Sequence, residues 1–213
     1  MTILFRDRET DTPTFRVTNA ISEEFANNLI KQFKDKTEVA AHDSGGKQSK
    51  ESELRDSSVA WFHNQDLYNR ISDFMNVANY HMGLRYKIVG SEAFQFTKYT
   101  KNQHYTWHRD GNQDHLAARN YTFGKPKNLT ETSFAPLVGS VRKISASLLL
   151  NDKFKGGEME FMWLDQGEVI KRSIKTNPLD LIIFPSALEH RVAPVTSGTR
   201  YSVVIWYAGP PLR

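Results

Sequence analysis

Residues 104–111 read HYTWHRDG: two histidines, an aspartate, two aromatics and a glycine in eight positions. As a β-strand this stretch sends alternate side chains to opposite faces, so His104, Thr106, His108 and Asp110 share one face and Tyr105, Trp107 and Arg109 the other. His108 and Asp110 then project the same way from Cα atoms roughly 6.5–7 Å apart, close enough to converge on one ion. An imidazole and a carboxylate joined by a third ligand from elsewhere make the 2-His-1-carboxylate facial triad, which holds Fe(II) on three positions and leaves three open. Alone, His-x-Asp is a common triplet that equally describes a hydrogen-bonded surface pair. The choice rests on what the remainder of the chain supplies.

The missing parts lie in FPSALEHRVAPVTSGTRYSVVIWY, residues 184–207. His190 opens a strand and offers the third ligand. After a turn bearing Pro194 and Gly198, Arg200 begins a hydrophobic return strand on which Arg200, Ser202, Val204 and Trp206 share a face. A guanidinium there is a rigid fork for bidentate capture of a carboxylate, so the pocket suits a carboxylated cosubstrate.

The chain of 213 residues contains no cysteine, which removes disulfides, iron-sulfur clusters, cysteine zinc sites and thiol nucleophiles, and leaves His, Asp and Glu as metal ligands. Lys and Arg exceed Asp and Glu by 28 to 24, a surplus of four, which fits a solvated surface or a mildly basic groove. The N-terminal residues lack the apolar core of a signal peptide, and no run of about 18 apolar residues occurs. A cytoplasmic protein with no membrane partner is the expectation.

Residues 21–36 and 65–82 read as amphipathic helices. Ser22 caps the first, with Phe25, Leu29, Ile30 and Phe33 on its apolar face, and the second carries Leu67, Ile71, Phe74, Met75 and Ala78. From about residue 86 the texture changes to short β-rich runs: YKIV, EAFQFTKYT, HYTWHRD, RKISASLLL, GEMEFMW, EVIKRSI, DLIIF, HRVAPV and RYSVVIWYA. These imply a single domain over 1–213, mainly β with flanking helices, having helical N-terminal support over about 20–85 and a sandwich or barrel core over about 86–210. Two polar stretches, 42–58 and 111–140, are expected to form a mobile cover over the site.

In FTKYTKNQHYTWHRDG, RKISASLLLN, GGEMEF, FPSALEHRVAPV and GTRYSVVIWY, in that order from about Phe94 to Pro210, the chain resembles the Fe(II)/2-oxoglutarate-dependent dioxygenases, specifically their prolyl 4-hydroxylase-like branch. The resemblance implies a double-stranded β-helix, a distorted jelly roll with helices on its major sheet. It makes His108, Asp110 and His190 the catalytic iron ligands, Arg200 the anchor for the distal carboxylate of 2-oxoglutarate, and Tyr99 a second group on that cosubstrate. Some eukaryotic prolyl hydroxylases place another cosubstrate-binding tyrosine on the strand matching RKISASLLLN, where this chain has Leu149.

The implied reaction consumes O2 and 2-oxoglutarate, releases succinate and carbon dioxide, and hydroxylates an unactivated C–H bond, with ascorbate as reductant. The implied partner is a proline-containing peptide or protein. The same iron site would also serve an oxygenase acting on nucleic acid or a small molecule, and a zinc hydrolase or an inactive jelly-roll binding module stands further off. No HExxH is present and no general base is evident beside the triad. Among other polar groups, His104 is expected at the rim or behind the ligands. Asp114 and His115 form a pair without a rigid strand, and His42, His63 and His81 read as surface or locally bonded groups.

Overall fold

Asn64 and Ser22 start the two helices. The Asn64 side-chain oxygen accepts from the Leu67 amide at 2.8 Å, and Ser22 Oγ accepts from the Phe25 amide at 3.2 Å, each satisfying one of the amides that a helix start leaves unpaired. The computed structural model describes residues 7–40, 54–111, 137 and 139–211. In chain order the first elements are β1 (Phe15–Val17), α1 (Glu23–Phe33), β2 (Glu38–Val39), β3 (Arg55–Asp56), β4 (Ser58–Phe62), α2 (Gln65–His81), β5 (Gly90–Ser91), β6 (Phe94–Tyr99) and β7 (His104–His108). There follow β8 (Val141–Leu149), β9 (Phe154–Gly156), β10 (Met159–Asp165), β11 (Glu168–Ile174), β12 (Leu181–Pro185), β13 (Glu189–Val192), β14 (Val195–Gly198) and β15 (Arg200–Gly209).

The larger antiparallel sheet runs β1-β12-β8-β15-β6-β4-β2, with β5 also on β15, and the smaller runs β11-β10-β13-β7-β3. Alternation along the large sheet's strands sorts their side chains. Phe94, Phe96, Ile144, Ala146, Leu148, Leu181, Ile183, Val203 and Ile205 face the helices and bury Ala26, Leu29, Phe33, Leu67, Ile71, Met75 and Ala78. Each fully buried side chain of this size contributes about 1.5–3 kcal/mol. From the opposite face Ile182 and Phe184 meet Met159, Phe161, Trp163 and Ile174 of the small sheet. Two facing sheets with helices outside the larger one give the expected mainly β, distorted jelly-roll architecture.

The structure departs from the sequence expectation in its strand content: β9 and β14, paired with each other, fall where turns and loops were expected. The N-terminal region is not helical support alone, because β1 pairs with β12 and β4 with β6. Its strand β3 and the start of β4 fall inside the polar stretch 42–58. They form because their polar groups are satisfied internally: Arg55 donates to Ser57 Oγ and Gln95 Oε1, both at 2.8 Å. YKIV, residues 86–89, is not a strand. The Asn79 side chain takes both the Tyr86 amide and the Tyr86 carbonyl, and within the stretch Val89 bonds β15 through its amide, to the Ala208 carbonyl at 2.9 Å. Residues 42–53 and nearly all of 111–140 lie outside the described residues, as do His42, Asp114 and His115, and so does any cover those stretches form. No described helix is long and apolar enough to cross a membrane.

Candidate metal centre

His108 closes β7 and His190 sits on the adjacent β13 as its direct cross-strand partner, which brings two imidazoles from distant parts of the chain side by side. Asp110 lies just past the end of β7 instead of on it, and is buried. One ligand atom from each of the three residues falls within 4.8 Å of the other two. His108 Nε2 is 3.8 Å from Asp110 Oδ1, and His190 Nε2 is 3.5 Å from Asp110 Oδ2.

Both rings are oriented by their other nitrogen. His108 Nδ1 donates to the Thr106 carbonyl at 2.7 Å and His190 Nδ1 to the Leu188 carbonyl at 2.9 Å, which leaves the Nε2 lone pairs directed at the shared space. Burial, reinforced by the neighbouring His190, pushes the His108 pKa down to about 3, against smaller upward pulls from Asp110 and the Thr106 carbonyl. For Asp110 burial pushes upward, but His190, His108, Arg142 and a hydrogen bond from Ser145 outweigh it and bring the pKa to about 2. At neutral pH the centre therefore presents a neutral imidazole and an ionised carboxylate, the forms that bind metal. Asp110 Oδ2 is buried without a hydrogen-bond partner among the described residues. A buried anionic oxygen facing two nitrogen lone pairs is incomplete without a cation. These residues fit a divalent metal, and imidazole and carboxylate donors suit Fe(II).

A second incomplete group lies on the neighbouring sheet. Arg200 is 2% exposed, donates from Nη1 to Ser202 Oγ at 2.7 Å, and has no carboxylate in ion-pair contact among the described residues. Burial lowers its pKa, with Tyr99 and Glu158 pulling the other way. Tyr99 is its in-register partner on β6. Space for the Arg200 stem comes from Gly157, at φ 68°, where an added Cβ would stand 3.0 Å from Arg200 Cδ. Leu149, in register across from Ser202 on β8, adds an apolar side chain there and no polar group.

The model of the 2OG-Fe(II) oxygenase superfamily matches residues 94–208, more than half of the chain and all five of these site residues. The chain belongs to the 2OG-Fe(II) oxygenase superfamily. Membership implies Fe(II) and 2-oxoglutarate. A PKHD-type hydroxylase of Xylella fastidiosa strain M12 is 36% identical over 115 residues, 53% of this chain and 42% of that protein. Human prolyl 3-hydroxylase 2 is 38% identical over 79 residues, 36% of this chain and 11% of that protein. The oxygenase thus spans less than half the length of these curated relatives. A Pseudomonas putida prolyl-4-hydroxylase structure superposes with a TM-score of 0.61 at 17% identity, covering 92% of this chain and 91% of that one, which establishes the likeness of fold.

Several side chains around this candidate centre went unread in the sequence. Arg142 and Glu92 form a bidentate pair at 2.5 and 2.6 Å, and the Arg142 guanidinium lies 3.8 Å over the Trp206 ring. Ser145 and Ser186, both fully buried, share a 2.8 Å hydrogen bond beneath Asp110. Regular spacing of Ser145 and Ser147 among apolar residues in RKISASLLL was the available hint that one face of this strand is polar. The face assignment within HYTWHRDG is also corrected. His190 pairs with His108 but Val192 pairs with Tyr105, so Thr106 and Trp107 of β7 together oppose Arg191 of β13. That bulge turns Tyr105 onto the His108 side, where their rings stack with centroids 3.5 Å apart and planes 15° from parallel. His104 is outside the cluster, its Nδ1 3.3 Å from the Asn102 carbonyl oxygen, and His81 stacks on Phe15.

Proposed function

We propose that this protein is a Fe(II)- and 2-oxoglutarate-dependent dioxygenase that hydroxylates peptidyl proline. The observation that carries the reading is a buried His-Asp-His cluster whose Asp110 Oδ2 has no hydrogen-bond partner among the described residues, in one jelly roll with the buried Arg200 guanidinium, which has no carboxylate in ion-pair contact among them. In this reading His108 Nε2, His190 Nε2 and Asp110 Oδ2 hold Fe(II), and Arg200 takes the distal carboxylate of 2-oxoglutarate with Tyr99 beside it. Iron and cosubstrate together would supply oxidative decarboxylation coupled to oxygen insertion into a C–H bond, with ascorbate keeping the iron reduced.

The chain's own residues bind, orient and exclude water. The Nδ1 hydrogen bonds set the tautomer of both imidazoles and leave Nε2 to face the shared space. Arg200, already desolvated by folding, gives a charge-assisted pair in a low-dielectric site. Phe161 and Phe184 pack on His190, with ring centroids 6.2 and 4.6 Å away, and keep that side of the centre dry. Proline as substrate is supported by the hydroxylase relatives.

The test is incubation of the full chain with Fe(II), ascorbate, 2-oxoglutarate and a panel of proline-rich peptides beside methylated oligonucleotides. A gain of one oxygen on proline, with stoichiometric succinate, is expected. Loss of methyl from the oligonucleotide with untouched peptides would overturn the substrate assignment, and absence of succinate in every arm would overturn the chemistry.

A further inference from the structure

The geometry points to Tyr105 and Arg55 as positioning residues of the iron centre: the Tyr105 ring, braced by the Arg55 guanidinium, fixes the plane of the His108 imidazole and thereby the direction of its Nε2 lone pair. The inference rests on the reading of His108 as a metal ligand. A single hydrogen bond from Nδ1 to the Thr106 carbonyl sets one point of the His108 ring and leaves it free to tilt about that point. Tyr105 removes the tilt, because its ring covers the imidazole almost face to face at 3.5 Å.

Tyr105 is itself held. Arg55 is its direct partner on β3 and places its guanidinium carbon 4.8 Å from the centre of the tyrosine ring. The guanidinium is in turn fixed by its bonds to Ser57 Oγ and Gln95 Oε1. A layered set of guanidinium, phenol ring and imidazole results, running from the edge strand of the small sheet to the metal ligand.

The backbone is built to allow this stack. In a regular strand Tyr105 would face away from His108, and only the bulge between the two brings them to one side. The same bulge packs Tyr105 against Tyr99, Val192 and Val195. The partner ligand has its own support, since Phe184 meets the His190 ring edge-on at 4.6 Å. Each imidazole thus has a hydrogen bond at Nδ1 and aromatic packing against its ring, from Phe161 and Phe184 for His190 and from Tyr105 for His108.

Tyr105→Phe keeps the ring, and Tyr105→Leu removes it with little change of volume. The measurement is anaerobic titration of the full metal-free chain with Fe(II), and with Co(II) to read its ligand-field absorption. Tyr105→Phe should bind within about threefold of the parent, whereas Tyr105→Leu should bind about 10- to 100-fold more weakly with shifted Co(II) bands and an unchanged far-ultraviolet spectrum. Parent-like affinity and bands in Tyr105→Leu would refute the stack, and so would a Tyr105→Phe variant as weak as Tyr105→Leu, since the hydroxyl and not the ring would then matter. If Tyr105→Leu does not fold, Arg55→Met serves in the same titration, with a weakening of about three- to tenfold expected and no change counting against the inference. His108→Ala separates the two levels. If it binds metal like the parent, the iron site itself is wrong; if it loses metal while Tyr105→Leu does not, only the stack is.

Discussion

Tyr99 and Arg200 stand directly opposite each other on neighbouring antiparallel strands, with the guanidinium carbon of Arg200 5.8 Å from the centre of the Tyr99 ring. The pairing places a phenol beside a buried cation that spends one donor on Ser202 Oγ and has no carboxylate in ion-pair contact among the described residues. A charge-assisted bidentate pair of this kind contributes roughly 1.5–3 kcal/mol. Arg200→Ala should therefore weaken 2-oxoglutarate about 10- to 100-fold while leaving Fe(II) affinity in place. Arg200→Lys should recover only part of the loss, because an ammonium cannot reproduce the planar fork. Cosubstrate KM and metal titration on the same variants check both halves, and an unchanged KM in Arg200→Ala would exclude it as the anchor.

Asp110 carries the negative charge of the centre, so Asp110→Asn tests the metal site with almost no change of shape. The amide keeps the size and loses the charge that offsets a divalent cation. Fe(II) binding and succinate formation should both disappear, as they should in His108→Ala and His190→Ala and in parent protein treated with a chelator. Turnover surviving in two of the three variants would dismiss the assignment.

Both helices and most strands from β6 onward were legible because their signals are apolar periodicity and capping side chains, which depend on local sequence alone, whereas the short pair β9 and β14, lacking such a pattern, was not. His108, Asp110, His190 and Arg200 were legible for a different reason, a set of chemically uncommon residues in a fixed order along the chain. What stayed hidden was set by long-range pairing. The bulge that turns Tyr105 toward His108 exists only against β13, and a stretch in which nearly every residue is polar or aromatic has no apolar face by which to recognise a slip in alternation. Arg142 and Glu92 read as surface residues in hydropathy, yet each side chain is only 11% exposed because the partner fifty residues away satisfies it. Arg55 was counted within a polar loop for the same reason: its acceptors, Ser57 and Gln95, make it tolerable in a strand.

Ser145 is the group beneath Asp110 that sequence did not reveal. Its hydroxyl contributes a hydrogen bond that lowers the Asp110 pKa and is itself tied to Ser186 Oγ at 2.8 Å. Ser145→Ala should weaken Fe(II) by about 10-fold or more with little effect on 2-oxoglutarate affinity once metal is saturating. Ser145→Thr, which keeps the hydroxyl, should restore part of it. Equal metal affinity in the parent and Ser145→Ala would show that burial alone orients the carboxylate.

Gly157 couples the stability of a turn to the cosubstrate anchor. Its φ of 68° lies in the left-handed region, where a residue with a Cβ costs about 1–2 kcal/mol. The added carbon would also stand 2.9 Å from Val195 Cγ2 and 3.0 Å from Arg200 Cδ, closer than such atoms rest, so one of the two side chains must yield. Val195 is fully buried against Tyr99 and Val192 and has little room, which directs the displacement to the Arg200 stem. Gly157→Ala should lower Tm by about 3–8 °C. It should also raise the 2-oxoglutarate KM while Fe(II) affinity stays at the parent level, because the metal ligands sit on the other sheet. A lower Tm with an unchanged KM would mean that Val195 gives way instead and that the turn does not set the position of Arg200.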